Sequence, residues 1–255
     1  MSDLTATNRT HFNNVAFTHH TDFGPLIETI VEEIKDRRGW ISSKLSTTPH
    51  HDHPGESQSE GIRLLDYACG AGTATKALLP YITQAIGLDL SENMVAEYNN
   101  WARAHGHAEK MRAYRLDLLD PPAQSEMEVE LSGFDVVLVC MALHHVTDTG
   151  RLLARLKECL RPCGVCVVID GVPSPMQASG EDADTADLRA VLEPEQLVVL
   201  ETINKHGFTE GEMRALYEGA GLGGNFEYEI IERPLRFTMF GHSFGRIGFI
   251  ARGEK

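Results

Sequence analysis

Two carboxylates and two glycines set the chemistry that the sequence has to explain. Asp66 ends a short apolar run, Ile62, Leu64 and Leu65, and Gly70 and Gly72 follow it closely. A chain leaving a buried parallel strand turns sharply into a helix at such a point, and a glycine turn lets a ligand lie against bare backbone. Thr73 to Leu79 reads as that helix, with its free N–H groups facing the same ligand. Ala85 to Leu90 returns as a second strand ending at Asp89. An acid about 20 residues past the glycines is where nucleotide folds place a ribose-binding carboxylate.

The neighbouring residues select between ligands. A dinucleotide site wants G-x-G-x-x-G/A, and the third small position is Thr75 here. The negative charge of Asp66 beside the turn disfavours a pyrophosphate and attracts an ammonium or sulfonium group. The D-x-x-x-G-x-G spacing from Asp66 through Gly72, with Asp89 behind it, resembles the cofactor motifs of class I S-adenosylmethionine-dependent methyltransferases. It departs from them at Ala68, where the family usually has the first of three glycines and a small side chain should be tolerated. The resemblance implies S-adenosyl-L-methionine as cofactor and S-adenosyl-L-homocysteine as product, held by Asp66, Ala68, Gly70, Gly72, Asp89, Leu90, Met94, Asp117, Leu118 and Cys140. On this reading Asp89 takes both ribose hydroxyls and Asp66 attracts the amino end of the methionine part. Asp117, in RLDLLD, faces the adenine amino group, the alternative being an N-cap or a solvated turn.

A second site-bearing stretch is Phe134 to Leu143, FDVVLVCMAL, a buried strand that delivers Cys140, Met141, His144 and His145 to the ligand edge of the sheet. It resembles the family's fourth motif but lacks the polar Asn or Asp often found near Cys140, which argues against an amino-acceptor clamp. A sulfonium methyl is already electrophilic, so the protein has to place a nucleophile in line and, where needed, remove its proton. His145 and His144 are the catalytic candidates, with alternation pointing one of them at the acceptor and His145 favoured; the alternative is a histidine that only packs or holds a carbonyl. The expected activity is methyl transfer to a thiol or hydroxyl of a small, mainly apolar secondary metabolite, the thiol favoured by similarity to fungal thiol methyltransferases within the broad group that includes the ubiquinone-biosynthesis enzymes. A non-catalytic cofactor-binding regulatory module and a protein methyltransferase are the competing readings.

The elements that position these residues follow from periodicity. Met1 to Thr10 is polar and expected to be disordered, and His11 to Gly24 has no clear period but carries Phe12, Phe17 and Phe23. From Pro25 a helix presents Ile27, Ile30, Val31 and Ile34 on one face. Ser42 to Glu60 is a polar linker whose His50, His51 and His53 lack a metal-binding framework. Ser91 caps a helix to Ala104, Met111 to Leu118 is the third strand, Arg151 to Leu160 an amphipathic helix and Val165 to Ile169 the fifth strand. Cys163 and Cys166 form a single C-x-x-C that core packing explains. Residues 171–206 read as an inserted cap, Phe208 to Ala220 as a helix, and Phe226 to Thr238 with Arg246 to Arg252 as an antiparallel pair. The resemblance implies a Rossmann-like α/β fold, a seven-stranded mostly parallel sheet with helices on both faces and an antiparallel last strand. Residues 1–60 form an N-terminal helical lid and linker, and 61–255 the methyltransferase domain.

Composition agrees. With 255 residues and 42% hydrophobic content the chain can bury a sizeable core. A net charge of −14 argues against a general affinity for nucleic acid. No run approaches the roughly 18 apolar residues that span a bilayer, so no membrane partner is expected. The N-terminus lacks a signal-peptide core, and five cysteines suit reduced thiols, which together point to the cytoplasm. Oligomeric state is not legible.

Overall fold

The computed structural model describes residues 4–46, 61–121, 129–173, 177–178 and 192–255. Strand β1 (Arg63–Tyr67) lies between β2 (Gln84–Asp89) and β4 (Phe134–Cys140), parallel to both. Burial on both faces is why these segments are nearly continuous apolar runs. Parallel β3 (Met111–Arg115) continues from β2, and parallel β5 (Leu160–Gly171) from β4. Then β8 (His242–Glu254) runs antiparallel to β5, and β7 (Gly224–Met239) pairs antiparallel with β8. Seven principal strands therefore stand in the order β3-β2-β1-β4-β5-β8-β7, and a two-residue β6 (Gln177–Ala178) pairs with β8 beyond the end of β5. The order reverses between β1 and β4, which opens a crevice at their C-terminal ends.

Successive residues of β1 feed opposite layers, as a period of two requires. Leu64 joins Ile30 and Ile34 of α3 (Gly24–Asp36), Leu78 of α5 (Thr73–Leu78) and Tyr98 of α6 (Glu92–Ala104). Leu65 joins Leu152 and Leu156 of α7 (Thr149–Cys159) and Met213 and Tyr217 of α8 (Glu210–Ala220). Tyr98 is a fully buried post between two glycines. A Cβ on Gly72 would lie 2.8 Å from its ring, and one on Gly87 would lie 3.1 Å from it and 2.8 Å from Cys69 Sγ. Side chains close the helix starts: Ser91 accepts from Met94 N, Asp148 from Arg151 N, and Thr209 forms a capping box with Glu212.

Several elements depart from the sequence reading. Of residues 1–10, expected to be disordered, 4–10 belong to α1 (Leu4–Val15), which is followed by the single turn α2 (His19–Asp22). Helix α1 is fixed by tertiary bonds that local composition does not encode: Asn13 accepts from Ser91 Oγ (2.6 Å) and Asn93 N (3.2 Å), Asn13 O accepts from Asn93 Nδ2 (3.0 Å), and Arg9 pairs with Glu92 (3.0 Å). β7 and β8 run longer than expected and meet in a two-residue turn, Phe240 (φ 52°) and Gly241 (φ 81°), whose twist suits a hairpin. β3 ends at Arg115, short of Leu118, where Leu116 N bonds Asp89 O. Cys166 packs in the core, but Cys163 is exposed with φ 60°, so packing accounts for only half of the C-x-x-C. His50, His51 and His53, with residues 174–176 and 179–191 of the expected cap, lie outside the described residues. Among the described residues no helix is long and apolar enough to cross a membrane.

Candidate active site

The C-terminal ends of β1, β2 and β4 form the floor of one cavity, and α1 to α3 form a wall. It holds about 1240 Å³ of empty space up to and including its open mouth.

At the β1 end, Asp66 is buried and its Oδ2 accepts from Thr75 Oγ (2.7 Å) and Thr75 N (3.2 Å), while Tyr98 OH donates to Thr75 Oγ (3.1 Å). Burial pushes the Asp66 carboxyl up to about 7, against the pull of the Thr75 bonds and with a smaller push from Asp89. At the β2 end, Asp89 accepts from Gly70 N (2.8 Å) through one oxygen and Ser91 N (2.8 Å) through the other. Burial raises it too, opposed by those amides. Asp117, just past β3, accepts from Leu119 N (2.8 Å). All three carboxylates line the cavity, and among the described lining residues there is no lysine or arginine. The field inside therefore favours a cation.

The backbone around the crevice takes unusual turns. Ala68 (φ 54°) after β1 and Met141 (φ 52°) after β4 are left-handed residues with side chains, and both line the cavity. Each costs roughly 1–2 kcal/mol, and such conformations concentrate at functional sites. Gly70 (φ 50°) meets nothing nearer than Met94 Sδ at 4.0 Å, so its backbone stays open to a ligand. Gly72 (φ 89°) instead supplies the left-handed N-cap of α5 and room for Tyr98, and it does not line the cavity.

At the β4 end Cys140 and His145 line the cavity. His145 Nδ1 lies 2.7 Å from Thr202 O, and since a carbonyl only accepts, Nδ1 carries the proton and Nε2 a lone pair. The Phe12 ring stands edge-on to it at 5.2 Å. Burial, then the neighbouring His144, push His145 down to about 3. His144 turns the other way: it is buried, outside the lining, with Nδ1 2.8 Å from Asp170 Oδ1, and its main-chain N–H donates to Asp170 Oδ2.

Of the residues singled out in the sequence, Asp66, Ala68, Gly70, Asp89, Leu90, Met94, Asp117, Cys140 and His145 surround one space, whereas Gly72, Leu118 and His144 lie outside its lining. Leu118 is buried in the layer under α7 while its neighbours Leu116, Asp117 and Leu119 face the cavity. Sequence reasoning missed Asn8 and His19, which lie in α1 and α2, where no hydrophobic period marks a helix. Phe12 and Phe23 face the cavity too, but Phe17 is 73% exposed.

Residues 65–166 match the methyltransferase domain family. An uncharacterised methyltransferase of Schizosaccharomyces pombe is 26% identical over 87% of this chain and 81% of its own. A ubiquinone biosynthesis O-methyltransferase of Rhodopseudomonas palustris is 32% identical over 43% of this chain, but the match spans only 40% of that enzyme. In fold, a methyltransferase from Anabaena variabilis described as SAM-dependent superposes with a TM-score of 0.64 at 16% identity, covering 100% of this chain and 96% of its own. Together with the acids and glycine turn at the crevice between β1 and β4, these matches support a class I S-adenosylmethionine-dependent methyltransferase domain built around residues 65–166.

Proposed function

We propose that this protein transfers the methyl group of S-adenosylmethionine to a small, mainly apolar acceptor, a thiol in preference to a hydroxyl, in secondary metabolism, and that it does so in the cytoplasm. The observation that carries the reading is that three carboxylates line the same cavity as His145, with no lysine or arginine among the described lining residues.

The residues fit the cofactor. Asp66 is a buried acid with no cation beside it in the lining, the open backbone at Gly70 permits close approach, and Asp89 keeps unused lone pairs beyond its two amide bonds. Asp66 would hold the ammonium end, Asp89 the ribose hydroxyls, Asp117 the adenine amino group, and Ala68, Leu90, Met94 and Cys140 the walls. When bound, S-adenosylmethionine supplies an electrophilic methyl on a cationic sulfur. The protein's own share is placement, exclusion of water by α1 to α3, and a neutral imidazole at His145.

That imidazole supports the choice of nucleophile. With His145 pushed down to about 3, taking the proton of a phenol near its usual ~10 is uphill by about seven units, whereas a thiol near ~8.5 is partly ionised unaided. The ubiquinone relative matches over 43% of this chain, so its oxygen chemistry does not settle the acceptor here. The test is a panel of thiols, phenols and amines incubated with S-adenosylmethionine, read by mass spectrometry for the methylated product. Methylation confined to amines defeats the acceptor assignment. Binding of S-adenosylhomocysteine with no transfer to any small molecule favours a regulatory module, and transfer only to proteins a protein methyltransferase.

A further inference from the structure

Asn8 stands out on the wall of the cavity. It is 5% exposed, its Nδ2 donates to His145 O (3.3 Å), and its Oδ1 is the one buried side-chain oxygen among the described residues without a hydrogen-bond partner. A buried acceptor left unmade costs about 1–3 kcal/mol, and native folds keep such a group where something else supplies the donor. The bond from Nδ2 fixes which end of the amide is which, so the free end is the oxygen. The same cavity is lined by Phe12, Phe23, Leu26, Ile27 and Ile30 beside the hydroxyl of Thr5, with His19 stacked on Phe23 at 4.8 Å.

We propose that Asn8 is a specificity-determining residue that positions the methyl acceptor by accepting a hydrogen bond through Oδ1. The acceptor it selects is uncharged and largely apolar, and presents a hydroxyl or amide N–H beside the nucleophile. The proposal rests on the methyl-transfer reading of the cavity. Three features agree on the ligand class. The orphan oxygen asks for a donor. The apolar wall asks for a ring or branched hydrocarbon. The three lining carboxylates, with no lysine or arginine beside them, repel a phosphate or carboxylate on the acceptor. His145, whose carbonyl anchors the Asn8 amide, lines the same cavity.

Three probe thiols test this with the full chain and S-adenosylmethionine: (2-mercaptophenyl)methanol, 2-ethylbenzenethiol, which replaces the hydroxyl by a methyl of similar size, and 2-mercaptobenzoate, which replaces it by a charge. The wild-type protein should favour the alcohol over the ethyl probe by about tenfold in kcat/KM and methylate the benzoate more slowly than either. In Asn8→Leu the ratio of alcohol to ethyl probe should fall to about one. Asn8→Ala, which adds no bulk, should give the same flattened ratio if the leucine variant fails to fold. Affinity for S-adenosylhomocysteine, measured by calorimetry, separates the two levels of the reading. No methylation of any probe with that affinity intact overturns the acceptor class, as does a ratio that Asn8→Leu and Asn8→Ala leave unchanged. Absence of S-adenosylhomocysteine binding by the wild-type protein overturns the methyl-transfer reading beneath it.

Discussion

Between about pH 4 and 7 Asp66 holds a proton in the folded chain that the unfolded chain gives up. Its carboxyl is raised from 3.8 to about 7, so its contribution to stability is full below about 4 and is lost as pH rises through 7. Replacing it with the neutral isostere should remove this slope: relative to wild type, Asp66→Asn should gain roughly 1–3 kcal/mol of unfolding free energy between pH 5.5 and 8, measured by urea denaturation. An equal difference at both pH values would contradict the assignment. His145 titrates the opposite way, since a folded value near 3 makes its share of stability present above 6.5 and lost on acidification. For a thiol acceptor, His145→Ala should lower turnover by less than about tenfold, a loss that shrinks as pH approaches the thiol's ~8.5. A loss of roughly 100-fold, steady with pH, would instead mark His145 as the base for a hydroxyl.

Helix α1 and the segment ending at Thr202 meet on one short turn. Asn8 reaches His145 O from α1, Thr202 O receives His145 Nδ1–H, and Asn204 N and Lys205 N both donate to His144 O. Two elements far apart in sequence thus hold the His144–His145 pair, and ligand binding should quiet both. Hydrogen exchange in residues 4–23 and 192–206 should slow on adding S-adenosylhomocysteine; slowing at the glycine turn alone would leave both as passive covers. These are also the elements least legible in sequence. Strands β1, β2 and β4, with α3, α6 and α7, announce themselves through apolar runs, caps and period, because their burial is encoded locally. Helix α1 is polar and owes its fold to α6 through Asn13 and Arg9, partners more than seventy residues away that no window of sequence contains. The site divides likewise: the acids and glycines are readable from spacing, whereas Asn8 gains meaning only when α1 is laid against His145.

The whole molecule is a sheet with its cavity at one end and its last two strands at the other side, and its stability should respond as one unit to what the cavity holds. A ligand at one hundred times its dissociation constant adds about 2.7 kcal/mol, which for a chain of this size raises Tm by roughly 5–10 °C. Calorimetry with S-adenosylhomocysteine should show a single transition moved by that amount; two transitions, one unmoved, would mean that α1 to α4 (Arg38–Ile41) unfold apart from the sheet. The volume around the Tyr98 ring is shared by Gly72 and Gly87, so a methyl at either place can enter only if the ring yields. For Gly87 it can: Gly87→Ala should be destabilising alone and partly rescued by Tyr98→Leu, with Cys69 and Ala113 still in the way. At Gly72 the same partner change should rescue far less, because a φ of 89° penalises any side chain whatever the room. Two glycines against one ring thus differ in whether drift elsewhere can ever excuse their replacement.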